Sequence, residues 1–175
     1  MINLEKDVKL KVLKEEYITI DYIEWMNDYE VTRFTEQRYN KHTSNSISEF
    51  IMEKSKSKTD KLFGIFVYKK HIGNILISSI DKNNSSCNLS YLIGKKEFWG
   101  LGIGGYVISE ALNIIFNKLK LVKVSAGCYE NNLASIRVLE KNNFLFEGLR
   151  KNQVNFEGKR IDVMIYGLFA KNVSR

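Results

Sequence analysis

The chain has no run approaching the roughly 20 apolar residues that a membrane helix requires, and its opening stretch, MINLEKDVKLK, has no apolar segment of the secretory kind. These absences argue against a membrane span and predict a cytoplasmic location. Cysteine is scarce: Cys87 and Cys128 stand in apolar or strand-like settings, with no neighbouring cysteine or histidine at metal-ligand spacing. No metal site is expected, and both thiols read as reduced and structural. A concentrated basic stripe is missing too, because the net charge of +7 comes from lysines spread from Lys6 to Lys171. That spread argues against a nucleic-acid partner and for a solvated basic surface. A weaker reading is that the positive potential draws in an anionic ligand. No internal repeat, low-complexity tract or linker marks a boundary.

What is present suits one folded domain over residues 1–175, with 44% hydrophobic, 27% charged and 12% aromatic residues. Aromatic and branched side chains in that proportion offer enough apolar area to offset the ordering of the chain. Alternation predicts an edge strand over 8–13, and helical spacing follows over 17–28. A short helix with a loop is expected over 30–43, then a helix over 47–56 capped by Ser44 or Asn45. Residues 62–68 and 72–80 read as a hairpin joined by Lys69-Lys70-His71, and a third strand covers 89–93.

Beyond Gly104 the pattern changes, with Val107, Ile108, Ala111, Leu112, Ile115 and Leu119 on one helical face. Val122 to Cys128 alternate as a strand, and a helix over 133–141 is expected to start at Asn131 or Asn132. Strands over 144–150 and 160–168 close the chain around a turn at 155–158. This order predicts an α/β (mixed α+β) fold: a central twisted, mostly antiparallel sheet flanked by helices. Ligands of such sheets gather at the carboxyl ends of strands, so the two strand-to-helix junctions are the places to seek chemistry.

The first junction, Phe98-Trp99-Gly100-Leu101-Gly102-Ile103-Gly104-Gly105, sets four glycines ahead of an amphipathic helix. Exposed amides there, aided by the helix dipole, suit a diphosphate. A dinucleotide fold would need the loop after its first strand and an acid about 20 residues on, where this chain has Lys120 to Lys123. No Gly-Lys-Ser/Thr follows, which excludes a kinase-type phosphate loop.

This loop, together with Glu130 to Phe144 (ENNLASIRVLEKNNF) and Trp25 to Phe34 (WMNDYEVTRF), resembles the GNAT acetyltransferase superfamily. The likeness is closest to the branch of ribosomal-protein N-terminal acetyltransferases and amino-sugar acetyltransferases of surface-polysaccharide pathways. It implies acetyl-CoA as cosubstrate and a primary amine as acceptor, on a nucleotide-linked amino sugar or a protein N-terminus. By resemblance, the amides of Leu101, Gly102, Ile103, Gly104 and Gly105 hold the pyrophosphate. Tyr91, Leu92 and Ile93 splay from the neighbouring strand to pair with pantetheine, and Asn132 and Ser135 face the cofactor arm. Leu92 amides are placed to meet charge developing on the thioester oxygen.

Two departures bear on the proton pathway. Many relatives place a glutamate where this chain has Asn88, which cannot act as a base; Glu30, Glu36 and His42 are the other candidates. Many also carry a tyrosine acid where this chain has Leu139, leaving Ser135 or Tyr129 to reach the sulfur. The catalytic candidates are therefore Ser135, Asn88 and Glu30. Trp25, Arg33, Phe34 and Arg38 form the candidate acceptor wall, the arginines suiting phosphate or carboxylate. The competing function is a non-catalytic acetyl-CoA sensor, which would bind the cofactor without turnover. The last two strands are where a homodimer surface would lie.

Overall fold

A computed structural model describes residues 2–170 of the chain. A short helix, α1 (Leu4–Asp7), leads into β1 (Val8–Val12). The helical excursion that follows is broken into pieces, all but the first started by a polar side-chain cap. A 3₁₀ turn over Glu15–Tyr17 precedes α2 (Ile20–Asn27), where Thr19 accepts from the Tyr22 amide, and Asp28 caps α3 (Tyr29–Thr32). Thr35 starts a second 3₁₀ turn over Glu36–Tyr39. The helix α4 (Ser44–Lys56) is capped by Thr43 rather than by Ser44 or Asn45. Thr43 is the last residue with extended backbone, and it exchanges hydrogen bonds with Ser46 across the first turn.

Strands β2 (Lys61–Val67), β3 (Lys70–Asp81) and β4 (Ser86–Ile93) form a meander. The first hairpin is tighter than the expected three-residue link. Its loop is Tyr68-Lys69, both at positive φ (47° and 70°), which matches the strand twist and lets His71 join β3. Next come α5 (Ile103–Asn113), continued by a π turn over Ile114–Lys118, then β5 (Lys123–Tyr129) and α6 (Leu133–Lys141).

Two long strands end the chain, β6 (Leu145–Phe156) and β7 (Lys159–Phe169). β6 runs on well past Arg150. Its polar second half lacks apolar alternation but stays paired through a bulge, where Asn152 takes φ 52° and its amide donates to Asp162 at 2.7 Å.

The seven strands lie in the order β1-β2-β3-β4-β5-β7-β6. Every neighbouring pair is antiparallel except β4 with β5, which bears out a mostly antiparallel sheet. Alternation sends Ile75 and Ile77 to one face, against Val107, Ile108, Ala111 and Ile115, and Leu76 to the other, against Tyr22, Trp25, Met26, Ile47 and Ile51. Full burial of each such aliphatic side chain contributes about 1.5–3 kcal/mol. The outer edge, β6, leaves Leu145, Phe146 and Leu149 exposed.

Candidate active site

The parallel pair holds the centre of the site because it does not stay paired. β4 and β5 are in register only at Ser86↔Lys123, Cys87↔Val124 and Asn88↔Ser125. Beyond that point residues 89–93 pair with β3 and residues 126–129 pair with β7, each on one side alone. Their facing backbone groups therefore border a gap at the carboxyl end of both strands. An extended ligand that carries amides can pair there as an added strand does.

Tyr91 lies beside this gap. Its ring approaches Gly104, where an added Cβ would stand 3.4 Å from it, and its hydroxyl lies near the Ser135 side chain. Burial raises its pKa. One side chain thus links the first turn of α5 to the first turn of α6.

The glycine loop lies at the same end. Gly102 is the N-cap of α5 with φ 78°, a left-handed conformation open to glycine at no steric cost. No side chain caps this helix, so its first-turn amides are left without a side-chain acceptor. The Trp99 indole donates to the Ile93 carbonyl at 2.9 Å and ties the loop to the end of β4. Asn132 caps α6, its side-chain oxygen accepting from the Ser135 amide at 3.2 Å.

A second wall stands at the end of β5. Tyr129 is buried, donates to Glu36 and accepts from Arg38 Nη1 at 2.7 Å. Burial, followed by the Glu36 contact, pushes its pKa up to about 12. Phe34 stacks on Phe156 with centroids 5.6 Å apart, and Tyr129 meets both rings edge-on. The Tyr39 hydroxyl donates to the Asn155 carbonyl at 2.9 Å, and the Tyr29 hydroxyl donates to Glu157 at the same distance. The tip of the β6–β7 hairpin is therefore closed onto the segment after α2.

Residues 10–145 match the family model of the acetyltransferase (GNAT) domain. The chain belongs to the GNAT acetyltransferase family. An uncharacterized N-acetyltransferase p20 of Bacillus licheniformis is 27% identical to this GNAT chain over 100 residues, 57% of this chain and 56% of its own length. The chain thus spans little more than half the length of the curated relatives it matches. Among solved structures, a ribosomal L7/L12 alpha-N-protein acetyltransferase in complex with coenzyme A superposes with a TM-score of 0.87 at 17% identity, over 98% of this chain and 99% of that one. A spermidine N-acetyltransferase from Vibrio cholerae in complex with CoA and spermine gives 0.80 at 17%, over 93% and 95%. These likenesses establish that the GNAT chain shares their fold.

Within the GNAT domain, Tyr91, Ser135, Asn132 and the glycine loop converge on the gap between β4 and β5, whereas other candidates lie elsewhere. Asn88 is exposed in the paired base of the gap, beside Ser78 and Ser125. Glu30 is occupied by Lys96, which donates to it at 2.9 Å and to Asp28 at 2.8 Å, holding Asp28 below the usual carboxylate range. Trp25 is buried in the core, stacked on Tyr22 at 4.4 Å and pressed against Gly94. Leu139 is buried in the main core. His42 is buried, with its ring Nε2 3.2 Å from the Gln37 carbonyl.

Phe156, Asn155 and Glu157 were not among the sequence candidates, because the stretch read only as a turn. The available signal was Phe156, an aromatic residue inside the expected turn at 155–158, where no core position was expected.

Proposed function

We propose that this chain transfers the acetyl group of acetyl-CoA to a primary amine, of a nucleotide-linked amino sugar or a protein N-terminus. The observation that carries the reading is the three-residue pairing of β4 with β5, opening into a gap beside an uncapped glycine-led helix. The amides of Leu101, Gly102, Ile103, Gly104 and Gly105 would hold the diphosphate. Residues 91–93 would pair with the pantetheine arm, aligning the thioester with the end of β5.

Holding the amine in line with the thioester carbonyl turns a bimolecular reaction into an effectively unimolecular one. The nitrogen bonds to the carbonyl carbon, the carbon–sulfur bond breaks, and a proton from the nitrogen ends on the departing thiolate. Ser135, in contact with Tyr91, is the hydroxyl placed to relay that proton. Glu36 is an exposed carboxylate of the acceptor wall, met at Oε1 by Tyr129 and, at 3.8 Å, by Arg38, while Lys96 occupies Glu30.

The shared fold serves a protein N-terminus in one neighbour and spermidine in another, so the wall and not the fold selects the acceptor. The test is thiol release from acetyl-CoA with a panel of amines, beside calorimetric titration of acetyl-CoA. Amine-dependent release supports the transferase. Binding without release supports the sensor, and absence of binding overturns both.

A further inference from the structure

The acceptor wall holds two arginines in opposite circumstances. Arg38 is fully engaged: Nη1 donates to the carbonyls of Arg33 and Thr35 at 3.3 and 2.7 Å and to Tyr129, and Nη2 donates to Tyr39 at 2.6 Å and to the Asn155 carbonyl at 3.1 Å. Its side chain is only 5% exposed. Arg38 is thereby a brace between the segment after α3 and the hairpin tip, and not a group that can turn toward a ligand.

Arg33 has none of this. Among the described residues its side chain forms no ion pair and donates no hydrogen bond. Its guanidinium carbon lies 4.7 Å from the centroid of Phe34, and its Nε is buried without a partner. A buried donor on a charged group carries a desolvation cost until an acceptor meets it.

The nearby acids are already matched. Asp28 and Glu30 share Lys96, Asp21 holds Lys95, and Glu157 accepts from Tyr29. Glu36 meets Tyr129 and, at 3.8 Å, Arg38, both through Oε1, and its side chain is still 68% exposed. An acceptor with several amines would need several open carboxylates, and this wall offers the exposed side of one carboxylate, already partnered at Oε1, and one unmatched cation.

We propose that the acceptor is an amine bearing a separate oxyanion, which Arg33 binds beside the Phe34–Phe156 stack while Glu36 receives the ammonium. The assignment of the amine rests on the transferase reading above; the anion subsite does not. Phosphate and carboxylate share the chemistry that a guanidinium recognises.

The test is ¹⁵N NMR of arginine Nε–Hε groups in protein saturated with CoA, titrated with methyl phosphate and, separately, with acetate. The resonance missing from Arg33→Gln is expected to shift saturably while that of Arg38 stays in place. Saturation at lower methyl phosphate than acetate assigns a phosphorylated acceptor, and the reverse order assigns a carboxylate. An Arg33 resonance unmoved by both anions overturns the proposal, as does an equal response from Arg38.

A kinetic arm compares glucosamine 6-phosphate with glucosamine. The phosphorylated amine is expected to have a kcat/KM roughly tenfold higher, as one charge-assisted pair allows, and Arg33→Gln is expected to bring the two together through KM. A preference for phosphate that survives in Arg33→Gln overturns the subsite. Loss of turnover with both amines counts against the transferase reading and leaves the NMR result to decide this one.

Discussion

Tyr129 donates its phenolic proton to Glu36 while accepting one from Arg38, although these partners lie 93 and 91 positions away in the chain. The hydroxyl joins the last residue of β5 to the segment that would face the acceptor. Removing it in Tyr129→Phe strands one Arg38 donor in a protected place. A stability loss of about 1 kcal/mol is expected in urea denaturation, with a larger fractional fall in kcat/KM for the acceptor than for acetyl-CoA. Equal falls for both substrates would place the effect outside the acceptor wall.

Asn132 separates capping from cofactor contact. Serine caps a helix about as well as asparagine, so Asn132→Ser is expected to keep stability within ~0.5 kcal/mol. It removes the side-chain amide, and acetyl-CoA affinity is expected to fall several-fold by calorimetry. An unchanged affinity would reduce Asn132 to a cap.

Gly94 abuts Trp25 so closely that a Cβ at this position would stand 2.1 Å from the indole. Gly94→Ala is expected to cost about 1–3 kcal/mol through forced repacking, read as a lower denaturation midpoint with an unchanged slope. Combining it with Trp25→Leu should recover part of that loss relative to Trp25→Leu alone. Simple additivity of the two changes would show that the ring is not what the new methyl meets.

His71 predicts a pH dependence of stability. Burial among Tyr22, Trp25 and Phe66 holds its pKa below the ordinary histidine value, while Nε2 lies 2.9 Å from both the Gly73 carbonyl and the Asn74 side-chain oxygen. In acid the unfolded chain takes up a proton that the folded chain refuses. Its contribution is therefore complete above the unfolded pKa and is lost as pH falls below about 6.5. Asp21, Asp28 and Asp60 have lowered values and act only at still lower pH. Between about pH 6.5 and 4.5, stability should fall in the parent and stay flat in His71→Gln; equal slopes would acquit the histidine.

Much of the frame was legible in the residues themselves. The stripe from Val107 to Ile115 announces α5, the alternation of Val124, Ala126 and Cys128 announces β5, and Asn132 marks the start of α6. Such signals are local, because helix period, strand period and capping each depend on residues within a few positions of one another.

The opening between β4 and β5 was readable only by resemblance, since Leu89 to Ile93 looks like any buried strand. Tertiary structure decided that its backbone would pair on one side alone, with Tyr91 reaching Gly104 and Ser135. It also decided the fates of two arginines only five positions apart, bracing Arg38 against Asn155 and leaving Arg33 beside Phe34 with its Nε unmatched. Nothing within a few residues distinguishes those outcomes. The hairpin tip that separates them arrives from more than a hundred positions away, and only the folded sheet sets which arginine it meets.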